Sequence, residues 1–203
     1  MTLGRGHSLP AAIWGDAILT LTLSPLALVA FVGITIATVS GAALDGLLPI
    51  VFAVLAILLS DIATRDRRAG TTAILYAAPR LREHFVWWKL GSALVLGLLL
   101  CAAPIARIAW HGLPSIVALL VGIFFVVALA TALGVITANA KTVIVLFLSF
   151  WYVVVNDRGA TAMLNFAGIY GPAAPGTTLT YAALAATVLL IAQSIYRARL
   201  ARV

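Results

Sequence analysis

Charge is scarce in this chain. Charged residues occupy 9% of its 203 positions, where an average soluble domain carries roughly 25%. A soluble fold could not clothe its surface with so few charges, which excludes the water-soluble enzymes and binding modules. Acidic residues are scarcer still, six Asp and Glu against thirteen Lys and Arg, for a net charge of +7. Cysteine occurs once, as Cys101 inside an apolar run. No intrachain disulfide can form, and the redox compartment is not legible. Catalytic signatures are missing as well. There is no P-loop, no H-E-x-x-H, no C-x-x-C and no G-x-S-x-G, so no recognisable ATP, zinc, redox or acyl-transfer site is present. The histidines, His7, His84 and His111, are expected on both sides of a membrane and cannot converge on one metal. Internal repeats and low-complexity segments are lacking. Arg5 is followed by no small-residue cleavage site after a short apolar core, so no removable signal peptide is expected.

Apolar residues are what the chain has in excess, at 64%. Runs of roughly 20 recur, the length needed to cross a bilayer as helix. The expectation is an all-α membrane protein, a single transmembrane domain over 1–203 with six transmembrane helices. Residues 9–23 mix apolar side chains with Trp14, Asp16, Thr20 and Thr22, which suits an N-terminal interfacial helix better than a span. Ser24-Pro25 marks a bend into span 1, because proline lacks a backbone donor and favours a helix start. Span 1 runs to Val39, span 2 from Gly46 to Ile62, span 3 from Val86 to Ile105 and span 4 from Ser115 to Ile136. Span 5 begins near Thr142 and meets Asn156-Asp157-Arg158 after about 22 Å of helix, short of the roughly 30 Å hydrocarbon core. Residues 159–176 are too apolar for a plain loop and too rich in Gly and Pro for a helix. They read as a re-entrant segment packed against protein. Span 6 covers Thr177 to Tyr196.

Six spans put both termini on one side, and the basic residues choose the side. Arg5, Arg65, Arg67, Arg68, Arg80, Arg82, Lys89, Lys141, Arg197, Arg199 and Arg202 fall on the terminal side, and only Arg107 and Arg158 on the other. The positive-inside rule then makes both termini cytoplasmic, in a multi-pass protein of the plasma (inner) membrane. Anionic headgroups rather than nucleic acid account for the basic excess. Asp16, Asp61, Arg107 and Asp157 all map near interfaces, so no ion or proton path is expected. In span 4, Ala128, Ala130, Ala132 and Gly134 read as a close-packing face. In span 5, Phe147, Phe150, Trp151 and Tyr152 read as lipid or helix contacts, and Asp157 is set to pair with Arg158.

The longest polar interruption is the loop over 63–85. Arg65-Asp66-Arg67-Arg68 is by itself a stop-transfer cluster. Beyond it, Gly70, Thr71 and Thr72 offer a turn and capping hydroxyls, an apolar stretch follows, and Pro79 stops it. Ile74, Leu75 and Ala78 share one helical face. A helix this short does not hold itself together in water, so it must lie against lipid or a partner. Trp87-Trp88 and Lys89 suit the membrane interface.

This loop resembles that of ABC-2 type exporter permeases, the membrane subunits of ATP-binding cassette transporters. That family reads an acidic residue, charged positions, Gly-Thr, an apolar run ending in Pro, then a basic residue and a Lys opening the next span. The matching positions are Asp66, Gly70-Thr71, Ile74-Leu75, Pro79, Arg82 and Lys89. Ser24-Pro25 resembles the family's junction before span 1, and the six-span layout resembles it along the whole chain. Ala73 stands where the family often has an acidic residue, and Trp88 where it often has a small one. The resemblance implies a cytoplasmic coupling helix between helices 2 and 3, contacting an ATPase through Asp66, Arg67, Arg68, Gly70, Thr71, Ile74, Leu75, Pro79 and Arg82. It implies two permease subunits, identical or homologous, and a separate cytoplasmic P-loop ATPase that carries the ATP and Mg. This chain would hold no cofactor and no catalytic residue. The competing expectation is a non-transporting integral membrane scaffold or regulatory subunit.

Overall fold

The computed structural model describes residues 9–65, 70 and 82–201. Among them are eight α-helices and no strand. They are α1 (Leu9–Leu23), α2 (Pro25–Val39), α3 (Leu44–Ser60), α4 (Phe85–Leu100), α5 (Ala102–Ile108), α6 (Leu113–Thr137), α7 (Ala140–Asp157) and α8 (Pro175–Leu200).

The boundaries have local causes. Ser24 caps α2, its hydroxyl accepting from the Ala27 N–H at 3.3 Å, with Pro25 at the first helical position. This is the bend expected there, and α1 leaves α2 at a sharp angle. Between α6 and α7 the connection is only Ala138 and Asn139. Ala138 takes the left-handed conformation that ends a helix, and the Asn139 side chain caps α7 by accepting from Lys141 N–H at 3.0 Å. α7 spans 18 residues, a turn longer than the sequence pattern marks out.

The third apolar run departs from expectation. Helix α4 ends at Leu100, and the chain bends by 61° into α5. Pro104 accounts for this. It has no N–H to offer the carbonyl of Leu100, and its ring crowds that turn. Hydropathy does not register the break, because apolar residues continue through it.

Three helices, α6, α7 and α8, are long and apolar enough to cross a membrane, and up to five crossings result if each bent pair is one span. Helix α3 is apolar but has 17 residues, about 25 Å of helix. The coarse expectation of an all-helical chain with helices fit for a membrane therefore holds among the described residues.

Hydrogen bonds fix the two ends of the bundle. At one, here the near end, Arg65 reaches α1, the Tyr196 hydroxyl reaches the Arg82 carbonyl, and Arg199 reaches the last carbonyls of α6. At the far end, Arg107 donates to the carbonyls of Thr38 and Ala42. Successive runs alternate between these ends, so α6 and α8 point the same way and pack along each other.

The core is aromatic. Phe166, fully buried, meets Phe52, Phe125, Phe150, Trp151 and Tyr181 with ring centroids 5.3–6.2 Å apart. Residues 158–174 therefore do not lie over the bundle as a surface loop. They insert Phe166, Ala167 and Ile169 among the helices. Gly122 of α6 makes room, since a Cβ there would collide with Ala167. Gly134 does the same at the near end, where a Cβ would stand 2.7 Å from that of Ala63. The small residues of α6 are thus packing residues, as expected. Phe147 and Trp151 face the core, while Tyr152 is exposed.

Candidate functional site

The sequence directs attention to the segment between α3 and α4. Of the residues singled out there, Asp66, Arg67, Arg68, Thr71, Ile74, Leu75 and Pro79 lie outside the described residues. Gly70 is described, exposed, with φ +68, a left-handed turn that glycine adopts without steric cost. Arg82 is half-buried at the entry to α4.

The two flanks of the segment are both tied down. On the α3 side, Thr64 Oγ1 donates to Asp61 Oδ1 at 2.9 Å. Arg65 Nη1 then donates to Thr20 Oγ1 of α1 at 2.8 Å, and that hydroxyl donates to the Asp16 carbonyl at 2.8 Å. On the α4 side, Tyr196 of α8 donates its hydroxyl to the Arg82 carbonyl at 2.8 Å and stacks on Phe85 at 5.4 Å. One turn further on, Lys89 is 1% exposed, and its Nζ lies 3.2 Å from Asp16 Oδ2. The ammonium also sits over the Trp88 ring, 4.1 Å from its centroid, within range of a cation–π contact.

This corrects two expectations. Lys89 and Trp88 do not stand at an open interface; both are buried, and only Trp87 of that trio is exposed. The reason is that α1 folds over this end of α4 and brings a carboxylate with it. A buried charge without a partner is costly, so the ammonium and the carboxylate select each other. The signal was present in the sequence as two opposite charges in apolar surroundings, each needing a partner. Nothing local says that residues 73 apart are that pair.

Asp157 and Arg158 do not pair either. Asp157 instead accepts from both the N–H and the hydroxyl of Thr161, each at 2.8 Å, closing the turn after α7.

No group of His, Cys, Asp and Glu among the described residues is arranged to hold a metal ion. The fold and this site define an all-helical protein with several membrane-competent helices and a polar segment anchored at one end of the bundle. Comparison with family models, curated proteins and solved structures finds no match.

Proposed function

We propose that this chain is the transmembrane permease subunit of an ABC-2 type exporter. It would form the translocation path as a pair of permeases. A separate cytoplasmic P-loop ATPase, holding ATP and Mg, would drive it through residues 63–85. In this reading α2, α3, the α4–α5 pair, α6, α7 and α8 make six crossings of the plasma (inner) membrane, with both termini cytoplasmic. Residues 159–176 re-enter the membrane from the far side.

The observation that carries the proposal is the double anchoring of the polar segment. A force applied between residues 66 and 81 reaches α3 directly through the chain. It reaches α4 through the chain as well, α1 through Arg65 and Thr20 and through the Lys89–Asp16 pair from α4, and α8 through Tyr196. A stop-transfer cluster alone has no need of such fixings. A motor docking on Gly70, Thr71, Ile74, Leu75 and Pro79, with Asp66, Arg67, Arg68 and Arg82 at its rim, would move four helices as one body.

The test is purification of the tagged chain from its own host in gentle detergent, with mass spectrometry of what accompanies it. A stoichiometric P-loop ATPase is expected. A second, different permease in the same sample would make the pair a heterodimer. Repeated recovery of this chain alone, with ATP analogues present, would replace the exporter with the scaffold.

A further inference from the structure

The far end of the bundle carries charged side chains of two kinds. Arg107 is occupied by the Thr38 and Ala42 carbonyls, and Asp157 by Thr161. Asp45 and Arg158 are different: both are exposed, and Asp45 engages only the neighbouring backbone, its Oδ1 accepting from the Gly46 N–H at 2.9 Å. Both line one cavity of about 690 Å³, together with Gly46, Pro49, Val155, Ile169, Tyr170 and Gly171. That volume lies within the range of small-molecule sites. Among the described residues, Asp45 and Arg158 do not close on each other as an ion pair. Arg158 makes no hydrogen bond among the described residues, and neither does the Tyr170 hydroxyl.

The cavity is built rather than incidental. Asn165, buried, holds the turn that presents Tyr170 from both sides: its Oδ1 accepts from the Tyr170 N–H at 3.2 Å, and its Nδ2 donates to the Gly171 carbonyl at 3.1 Å. Gly159, at φ +80, lets the chain pass Tyr170, where a Cβ would stand 2.8 Å from the tyrosine's own. Arg158 takes the left-handed conformation at φ 49, uncommon for a residue with a side chain. One turn deeper, α3 and α7 meet through Phe52 and Trp151, ring centroids 5.9 Å apart. The space is thus a cup at the end of the bundle and not a stretch of a through path.

We propose that this cup binds a zwitterion, a molecule carrying an ammonium and a phosphate or carboxylate a few bonds apart. Asp45 receives the cation, Arg158 the anion, and the Tyr170 hydroxyl donates a hydrogen bond to the anionic group. A lone anion would face Asp45 and a lone cation would face Arg158, so each half by itself is opposed by one wall. The chemistry is shared by a zwitterionic lipid headgroup and a free soluble zwitterion. The charge arrangement on Tyr170 agrees with this layout. Burial raises its pKa first, the Arg158 charge pulls it down and the Asp45 charge pushes it up, so both charges act on the phenol. The inference stands on these residues alone and does not depend on the exporter reading.

Isothermal titration of the full chain in lipid-free detergent tests it. The probes are phosphoethanolamine, inorganic phosphate, ethanolamine and dihexanoyl phosphatidylethanolamine. Saturable binding of phosphoethanolamine or the short-chain lipid is expected, with phosphate and ethanolamine about tenfold or more weaker. Asp45→Asn and Arg158→Gln should each weaken the zwitterion about tenfold, and Tyr170→Phe by several-fold, in line with loss of a charged and a neutral hydrogen bond. A lipid source is indicated if the short-chain lipid binds about tenfold tighter than phosphoethanolamine, and a soluble source if the two are equal. The proposal fails if no zwitterion saturates, if phosphate binds as well as phosphoethanolamine, or if folded Asp45→Asn and Arg158→Gln chains bind as the native one does. The comparison of probes on the unsubstituted chain decides the matter even where a variant does not fold.

Discussion

The Lys89 ammonium lies 3.2 Å from the Asp16 carboxylate, buried where α1 crosses the first turns of α4. Asp16→Asn removes the carboxylate that the buried Lys89 ammonium faces. Breaking such a pair from one side costs about 3 kcal/mol or more, whereas replacing both members by apolar groups is often neutral. Asp16→Asn should therefore lower the melting temperature in detergent far more than the double change Asp16→Leu with Lys89→Met. Equal losses in the two variants would show that the pair is not what holds α1 to α4.

Ile74→Asp with Leu75→Asp should leave membrane insertion unchanged, because the added charges fall between the apolar runs, in a segment that already carries charge. Under the exporter proposal, ATP hydrolysis by a co-purified ATPase should continue in reconstituted vesicles while export falls to background. Normal export by this variant would refute docking at these positions.

Phe166 stands at the centre of five ring contacts. Phe166→Ala should destabilise the protein by about 3–5 kcal/mol, the cost of a large cavity in a core that cannot fully collapse. Gly122→Val acts on the same joint from the other side, pressing α6 against Ala167, and should cost about 1–3 kcal/mol by overpacking. Limited proteolysis in the 158–174 segment should be faster in both variants than in the native chain.

Tyr170 offers a titration. Its pKa is raised above 10.0, chiefly by burial, so the folded chain holds the phenolic proton more tightly than the unfolded one. Its contribution to stability is complete below the ordinary tyrosine value and is lost as pH rises through the raised one. Asp45→Asn should bring the pKa down and Arg158→Gln should take it further up, read as phenolate absorbance against a Tyr170→Phe baseline. Shifts of the opposite sign would mean that the two charges do not face the phenol.

Much of the helical layout is legible without the structure because each cause is local. Ser24-Pro25 marks a helix start through its own capping chemistry. The 61° bend at Cys101 is less legible: Pro104 is visible, but apolar residues run past it and mask the break. The central segment was marked by its charges and breakers, and its anchors were not. Thr20, Tyr196 and Asp16 carry no motif, and each acts on a residue far away in the chain.

Composition and run length by themselves marked out a helical chain suited to a membrane, with a basic polar segment near its middle. In hydrocarbon the backbone must satisfy its own hydrogen bonds, and a run of apolar residues leaves it only the helix. Tertiary structure alone decided which faces meet. Helix α6 is apolar on every side, so no periodicity points to a partner, and the packing is set by where Gly122 and Gly134 leave room for Ala167 and Ala63. It also decided that Lys89 finds Asp16, and that Asp45, Arg158 and Tyr170 gather around one cup. Those are contacts between distant segments, and only the folded chain brings them within reach of one another.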